Sequence, residues 1–160
     1  MKRFVLFSFI AVVTLLFASC TRKADVGEQL LQQLNEQKVS LVVYNNDSVS
    51  TYSQRGIRDL INLYLNEPER LHNAVIADKM VGKAAATMMV LGKVKEVNTN
   101  YLTIPAKQLL EEAGINYRTK SEGDMIYQAD GVSQCPMDKL ASEFDSPDDR
   151  LKAFIEFYHL

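Results

Sequence analysis

Residues 77–86 combine charged and small side chains in the order Ala-Asp-Lys-Met-Val-Gly-Lys-Ala-Ala-Ala. An apolar run precedes them and an apolar helix follows, so we expect a turn at residues 78–83 and a helix N-terminus beside it. Free backbone N–H groups and the helix dipole favour an anion there, and a glycine allows a ligand to approach closely. The candidate ligand-binding residues in this segment are Asp78, Lys79, Gly82 and Lys83.

Lys83 would lie in the first turn of that helix, where a cation opposes the dipole by roughly 0.3–1 kcal/mol. We therefore expect an anionic partner for this terminus, either Asp78 or a ligand. The alternative is that both lysines are solvated and the small residues only fit a tight helix–sheet contact. The segment is not a Walker phosphate loop, because it lacks the first glycine and the Ser or Thr after Gly-Lys.

Cys135 directly precedes Pro136, a residue favoured at the first helical position. A helix N-terminus stabilises the thiolate, which is the nucleophilic form of cysteine. Asp138 follows three residues later, where its carboxylate could complete the cap. Cys135 is thus a candidate catalytic residue and Asp138 a candidate ligand-binding residue. The alternative is that Cys135 is a small buried residue that merely starts a helix.

Metal chemistry has little support in the sequence. The two histidines, His72 and His159, are far apart and are expected on the surface. Side chains of this chain alone supply hardly enough ligands for zinc. We expect no metal and no other cofactor.

Hydrophobic periodicity predicts the elements that would position these residues. The predicted strands are at residues 41–44 and 49–52 (a hairpin with a turn at 45–47), 74–77, 94–97, 115–118 and 125–128. The predicted helices are at residues 28–38, from 57 to before Pro68, 84–91 (apolar on nearly every face), from Pro105 to Gly114, 135–144, and from Ser146 onward. Together they predict a three-layer α/β domain with a mixed central sheet and helices on both faces.

Composition excludes several classes of protein. The 160 residues are 47% hydrophobic and 24% charged, as in a compact globular domain. A formal net charge of −2 offers no phosphate-neutralising surface, so we expect no nucleic-acid partner. Two cysteines, Cys20 and Cys135, supply neither a disulfide framework nor a cysteine-rich zinc site.

The N-terminus has the pattern of a secretory signal: Lys2 and Arg3, then an apolar run from residue 4 to residue 18. Ala18-Ser19-Cys20 resembles the lipobox of bacterial lipoproteins, which implies cleavage before Cys20 and lipidation of that residue. The predicted organisation is a signal peptide at 1–19, a lipidated tether at 20–27 and a single α/β domain at 28–160. We expect a protein anchored by lipid in the bacterial cell envelope, at the periplasmic face of the outer membrane.

Residues 41–144 resemble domain-of-unknown-function family 1893, through the block at 77–86 and the block Cys135-Pro136-Met137-Asp138. The resemblance implies a cytidine-deaminase-like fold, in which two helix N-termini converge on a zinc site. This chain has no His-x-Glu or Cys-x-Glu in the first block and one cysteine in the second, so a zinc-dependent deaminase is not expected. By resemblance, Asp78, Lys79 and Lys83 should face Cys135 and Asp138 in one pocket.

Three functions remain open. The first is a binding domain that holds a small ligand, which could be an anion, at the convergent helix N-termini. The second is an enzyme that uses Cys135 as a nucleophile or redox thiol. The third is an envelope interaction module with an apolar patch formed by Phe154, Phe157 and Tyr158.

Overall fold

The computed structural model describes residues 25–160 of the chain. Within this range the α-helices are Val26–Gln37 (α1), Arg58–Asn66 (α2), Lys83–Leu91 (α3), Ile104–Glu112 (α4), Pro136–Ala141 (α5) and Pro147–Tyr158 (α6). The strands are Leu41–Asn45 (β1), Ser48–Tyr52 (β2), Val75–Val81 (β3), Glu96–Thr103 (β4), Asn116–Thr119 (β5) and Glu122–Gly123 (β6), and a 3₁₀ turn lies at Pro68–Arg70.

The strands form one mixed sheet in the order β2-β1-β3-β4-β5, and β6 pairs with the end of β4. Strand β1 is antiparallel to β2 and β3, whereas β3, β4 and β5 are parallel. Asp78 of β3 lies opposite Leu41 on one side and Thr99 on the other. A carboxylate therefore occupies a central position in the sheet.

Alternate residues of the central strands face two separate apolar layers. Val42 and Ala77 pack with α1 in a small cluster. Val43 and Ile76, one position along, belong to the main core with residues of helices α2–α6. Helix α1 therefore covers one face of the sheet and α2–α6 cover the other, which confirms the predicted mixed sheet with helices on both faces.

Helix α3 lies at the centre of the main core, as its apolar sequence predicts. Six of its nine residues, from Ala84 to Met89, are buried. Its N-cap is Gly82, which has no side chain to bond the first N–H groups. By contrast, Ser146 caps α6 with its hydroxyl, which accepts from the Asp149 N–H at 3.1 Å, as the sequence predicts.

Strand β3 differs from expectation in a way that matters for the site. The predicted turn at residues 78–83 is wrong, because β3 continues through Asp78 to Val81. Strand β4 likewise runs on to Thr103, well past the predicted end at residue 97. Pairing between β3 and β4 provides backbone hydrogen bonds to charged and polar residues that have low strand propensity.

Other boundaries also shift. The helix predicted to reach residue 144 ends at Ala141. The strand predicted at 125–128 is a loop with one isolated bridge, between Tyr127 and Gln134. Helix α1 begins at Val26, within the predicted tether.

The predicted signal peptide and the lipidated Cys20 lie outside the described residues. No helix within 25–160 is long and apolar enough to cross a membrane.

Candidate functional site

A cavity of about 650 Å³ lies beside the second half of β3, on the face of the sheet covered by α2–α6. Its wall is formed by residues 53–57 after β2, the N-terminus of α3, residues 126–129, the N-terminus of α5 and the end of α6. The volume is within the range of small-molecule sites. Asp78, Lys79, Gly82, Cys135 and Asp138, all selected from sequence, line this cavity.

Asp78 is a partly buried carboxyl group in the wall of the cavity. Its Oδ1 accepts a hydrogen bond from the Met80 N–H at 3.1 Å. Loss of water around the group raises the pKa of the Asp78 carboxyl from 3.8 to about 7, because burial disfavours the charged form. Asp78 can therefore change protonation state near neutral pH.

Asp138 supplies the missing cap of α3. It is the third residue of α5 and is only 6% exposed, and its Oδ1 accepts from the buried Ala84 N–H at 3.0 Å. Burial raises the pKa of Asp138, while the hydrogen bond from Ala84 and the charge of Lys83 oppose that rise. The anion at the α3 N-terminus is therefore Asp138, and not Asp78 or a ligand as the sequence suggested; Asp138 caps α3 rather than its own helix.

Gly82 provides the space that this contact needs. A Cβ atom at residue 82 would overlap the carboxylate of Asp138. The φ of Gly82 is −99°, which any residue can adopt. Its role is therefore steric, as the sequence suggests for a close approach, although the approaching group is a side chain of α5.

The two lysines occupy different environments. Lys79 is exposed and lines the cavity. Lys83 is partly buried and is not among the lining residues, which corrects the expectation that it faces the pocket. Burial and the nearby charge of Arg150 lower the pKa of Lys83, and Asp145 and Asp138 partly offset this effect.

Cys135 is the N-cap residue of α5 and makes no side-chain capping hydrogen bond. It is partly buried, its thiol is free, and it lines the cavity. Its backbone N–H donates to the Ile126 carbonyl at 2.8 Å and so ties α5 to the preceding loop. A thiol thus lies in the same cavity as the carboxyl of Asp78.

Residues 124–134 form a flap over one side of the cavity, a feature that the sequence did not reveal. The Tyr101 hydroxyl donates to the Met125 carbonyl at 3.0 Å at the base of the flap. At its tip, Oδ1 of Asp130 accepts from the N–H groups of Val132 and Ser133. The sequence gives one indication of this flap: residues 128–134 are mostly polar and contain a glycine, which is typical of turns.

The end of α6 forms another wall that sequence analysis assigned differently. Tyr158 lines the cavity, its hydroxyl accepts from the Ile57 N–H at 3.4 Å, and the Arg58 guanidinium lies 4.5 Å from its ring centre. Burial raises the pKa of the Tyr158 phenol. Phe157 is 49% exposed and also lines the cavity, but Phe154 is fully buried. Phe154 therefore does not belong to the predicted surface patch.

Arg150 joins α6 to the end of α5 and is only 4% exposed. Its Nε donates to the carbonyls of Ala141 at 3.1 Å and Phe144 at 3.0 Å. Its Nη2 donates to the Asp145 carbonyl at 2.9 Å, and its Nη1 to the Thr87 hydroxyl at 3.4 Å. This buried guanidinium holds the segment that carries Cys135 and Asp138 against α3.

Neither histidine contributes to the cavity; both are exposed. Within residues 25–160 no group of three or more His, Cys, Asp or Glu side chains could hold a metal ion.

Comparisons with known proteins agree with the fold. The crystal structure of a DUF1893 family protein (TM1506) from Thermotoga maritima matches with a TM-score of 0.72 and 26% sequence identity, over 81% of this chain and 87% of that one. None of the curated proteins compared with this chain matches it. The family model described as a domain of unknown function, DUF1893, matches residues 29–158. Since this match spans most of the chain, the protein belongs to the DUF1893 family.

Proposed function

We propose that this protein binds a small organic ligand in the cavity between β3, α5, α6 and the flap. The observation that carries the proposal is the position of exposed apolar side chains. Nine large hydrophobic residues of the described chain are exposed, and three of them line this one cavity: Met80 (45%), Tyr127 (52%) and Phe157 (49%). Apolar walls with a few polar groups are typical of small-molecule sites.

Polar residues in the same cavity would orient the ligand. Asp78 provides a carboxyl group on the sheet, and Gln54 and Gln128 also line the cavity. The cavity therefore offers both polar groups and apolar rings to a ligand. This arrangement supports binding of a small amphipathic molecule.

The ligand position differs from the one suggested by the sequence alone. Anion binding at the α3 N-terminus would compete with Asp138, which already accepts from Ala84. A ligand need not displace that carboxylate if it binds beside Asp78. We therefore propose that the ligand contacts β3, the flap and the end of α6.

A cysteine-dependent enzyme is the second candidate, because the free thiol of Cys135 lines the same cavity. In this alternative the thiol would attack a bound substrate. The convergence of the α3 and α5 N-termini supports a cytidine-deaminase-like fold, but the donor groups of a zinc deaminase are missing from both sequence blocks. We therefore propose no zinc-dependent deamination.

The envelope location is a further part of this proposal. It is supported by the basic and apolar residues 2–18 and by Ala18-Ser19-Cys20. Lipid attached to Cys20 would anchor the protein to the membrane, because several acyl chains bind a bilayer strongly. Metabolic labelling with radioactive palmitate should tag the wild-type chain and leave Cys20→Ser unlabelled; equal labelling of both would contradict the lipid anchor.

Ligand binding can be tested by thermal unfolding of the full chain in detergent, with each member of a library of small metabolites added in turn. Circular dichroism monitors the unfolding. A ligand at 100 times its dissociation constant adds about 2.7 kcal/mol, which raises the Tm by several degrees. Ala129→Trp places a large side chain in the cavity wall and should abolish the shift. Val132→Trp, on the same flap but 81% exposed and outside the wall, is the matched control.

The outcomes separate the candidates. A shift lost in Ala129→Trp and kept in Val132→Trp supports the cavity as the binding site. No Tm shift with any compound of the library, or equal shifts in both variants, would overturn the proposal. A ligand that forms a covalent adduct with the wild-type chain, detected by mass spectrometry and absent in Cys135→Ser, would favour the enzyme.

A further inference from the structure

The geometry points to a specific class of ligand: a flat organic cation, such as an amidine or an aromatic amine, whose N–H groups bind Asp78 while its ring lies against Met80, Tyr127 and Phe157. This inference rests on the proposed function and adds the charge and shape of the ligand. It follows from the surroundings of Asp78, from the distribution of charge around the cavity, and from the apolar rim.

Asp78 has unused hydrogen-bonding capacity. A carboxylate can accept about four hydrogen bonds, and the Asp78 carboxyl receives two, from the backbone N–H groups of Met80 and, more weakly, Lys79. Its partner on the adjacent strand β4, Thr99, does not donate to it, because the Thr99 hydroxyl donates to the Tyr101 carbonyl at 3.0 Å. A ligand with N–H groups could supply the remaining donors.

Asp78 also lacks a protein counter-ion. The other titratable groups that line the cavity are Arg55, Lys79, Tyr127, Cys135, Asp138 and Tyr158. None of the ion pairs found within residues 25–160 includes Asp78. Both lining cations, Arg55 and Lys79, are exposed. A bound cation would therefore provide the first direct counter-charge to this carboxylate.

The second acid of the cavity does not compete for the same ligand. Asp138 is 6% exposed and bonds Ala84 at the α3 N-terminus, where the helix dipole favours its negative charge. Asp78 lies on β3 and caps no helix of the described chain. The two carboxyl groups thus have separate roles: Asp138 is structural and Asp78 is available to a ligand.

The apolar rim accounts for the flat part of the ligand. Tyr127 on the flap and Phe157 on α6 both line the cavity and are about half exposed. Aromatic faces attract cations and stack with planar groups. Met80 is a flexible side chain that makes favourable contacts with rings of varied shape. A planar, delocalised cation suits both the carboxylate and these side chains.

Three probes of matching shape test this inference: benzamidine, benzamide and benzoate, which are a cation, a neutral amide and an anion. Their dissociation constants would be measured by titration calorimetry on the full chain in detergent, at pH 6 and pH 8. Wild type should bind benzamidine most tightly. Since the pKa of Asp78 is about 7, the ionised fraction rises about tenfold between these pH values, and benzamidine affinity should rise about tenfold with it.

Variants assign that effect to one residue. Asp78→Asn should bind benzamidine no more tightly than benzamide, with no change between pH 6 and pH 8. Glu143→Gln removes an exposed acid outside the cavity and should behave as wild type.

The inference is overturned if benzoate binds more tightly than benzamidine, if Asp78→Asn leaves benzamidine affinity unchanged, or if none of the three probes binds. The proposed function has a separate outcome. Benzoate binding that Ala129→Trp abolishes would keep the cavity as a ligand site and reject only a cationic ligand.

Discussion

The carboxylate of Asp138 occupies the space that a Cβ atom would take at Gly82, and from there it accepts the Ala84 N–H at the start of α3. The contact joins two helix N-termini across 54 residues of sequence. It satisfies a buried backbone donor and places a negative charge at the positive end of the helix dipole. The relationship makes both residues structural and fixes the position of α5 beside the cavity.

Gly82→Ala should destabilise the protein by at least about 2 kcal/mol, because the new methyl group displaces a buried carboxylate and leaves the Ala84 N–H without its partner. Urea unfolding monitored by circular dichroism would measure the loss. Gly114→Ala is the control, since a Cβ there meets nothing within 4 Å but its φ is +68°. That control should lose only about 1 kcal/mol. Equal losses in both variants would contradict the steric role of Gly82.

Asp138→Ala should cost about 1–2 kcal/mol, as expected when a helix loses its capping side chain. Asp138→Asn keeps an oxygen that can accept from Ala84, so its loss should be smaller. In the Asp138→Ala background, Gly82→Ala should become much less harmful, because the overlapping group is gone. Urea unfolding of the single and double variants gives this coupling directly; strictly additive losses would show that the two residues do not interact.

Asp78 should make stability fall as pH rises. Its folded pKa of about 7 lies above its ordinary value of 3.8, so between these values the folded chain holds a proton that the unfolded chain releases. Asp78→Asn does not titrate there. It should therefore gain stability relative to wild type between pH 5 and pH 8, by roughly 2 kcal/mol.

The measurement is a set of urea unfolding curves for both proteins at pH 5, 6, 7 and 8. Glu143→Gln removes an exposed acid and should stay parallel to wild type across the series. A constant difference between Asp78→Asn and wild type would mean that Asp78 ionises normally in the folded chain.

Lys83→Ala should leave ligand affinity within about twofold of wild type, because Lys83 is not part of the cavity wall. Titration of any ligand found in the thermal screen provides the test. Ala129→Trp is the comparison that should abolish binding. Loss of binding in Lys83→Ala, with the fold intact by circular dichroism, would return Lys83 to the site as the sequence suggested.

Arg150→Lys should destabilise the protein by roughly 3 kcal/mol, although the charge is conserved. A lysine ammonium cannot reproduce the planar fork that donates to Ala141, Phe144 and Asp145. The buried Ala141 carbonyl left without its donor costs about 1–3 kcal/mol, and the loss of the two partly buried bonds adds to it. Arg55→Lys, at an exposed position, should change stability by less than about 0.5 kcal/mol. Thermal unfolding compares the two, and an unchanged Tm for Arg150→Lys would contradict the role assigned to Arg150.

Much of the fold could be predicted because its signals are local. The apolar residues of α3 predict an enclosed helix, and Ser146-Pro147 predicts the start of α6. The apolar run before the turn at 45–47 and the alternating run after it predict the β1–β2 hairpin, in which Asn46 and Asp47 have positive φ. Each of these signals acts over a few residues of the chain, so it can be identified from neighbouring side chains.

The candidate site was predicted only in part. Residue type and position near helix starts identified Asp78, Lys79, Gly82, Cys135 and Asp138, which all line the cavity. The walls at Tyr127, Phe157 and Tyr158 were missed or assigned elsewhere, because their place in the cavity wall depends on how the flap and α6 fold back. Lys83 was misplaced, since sequence alone does not say which side of α3 the cavity occupies.

Sequence patterns alone were enough to place this chain in a mixed α/β fold of the DUF1893 family and to locate most helix starts to within a residue or two. Only the tertiary structure decided that Asp138 is the anion at α3, that Asp78 belongs to a strand, and that both line one cavity. The physical reason is distance along the chain. Helix caps and turns depend on adjacent residues, whereas the pairing of β3 with β4 and the contact of Asp138 with Ala84 depend on packing between segments far apart in sequence.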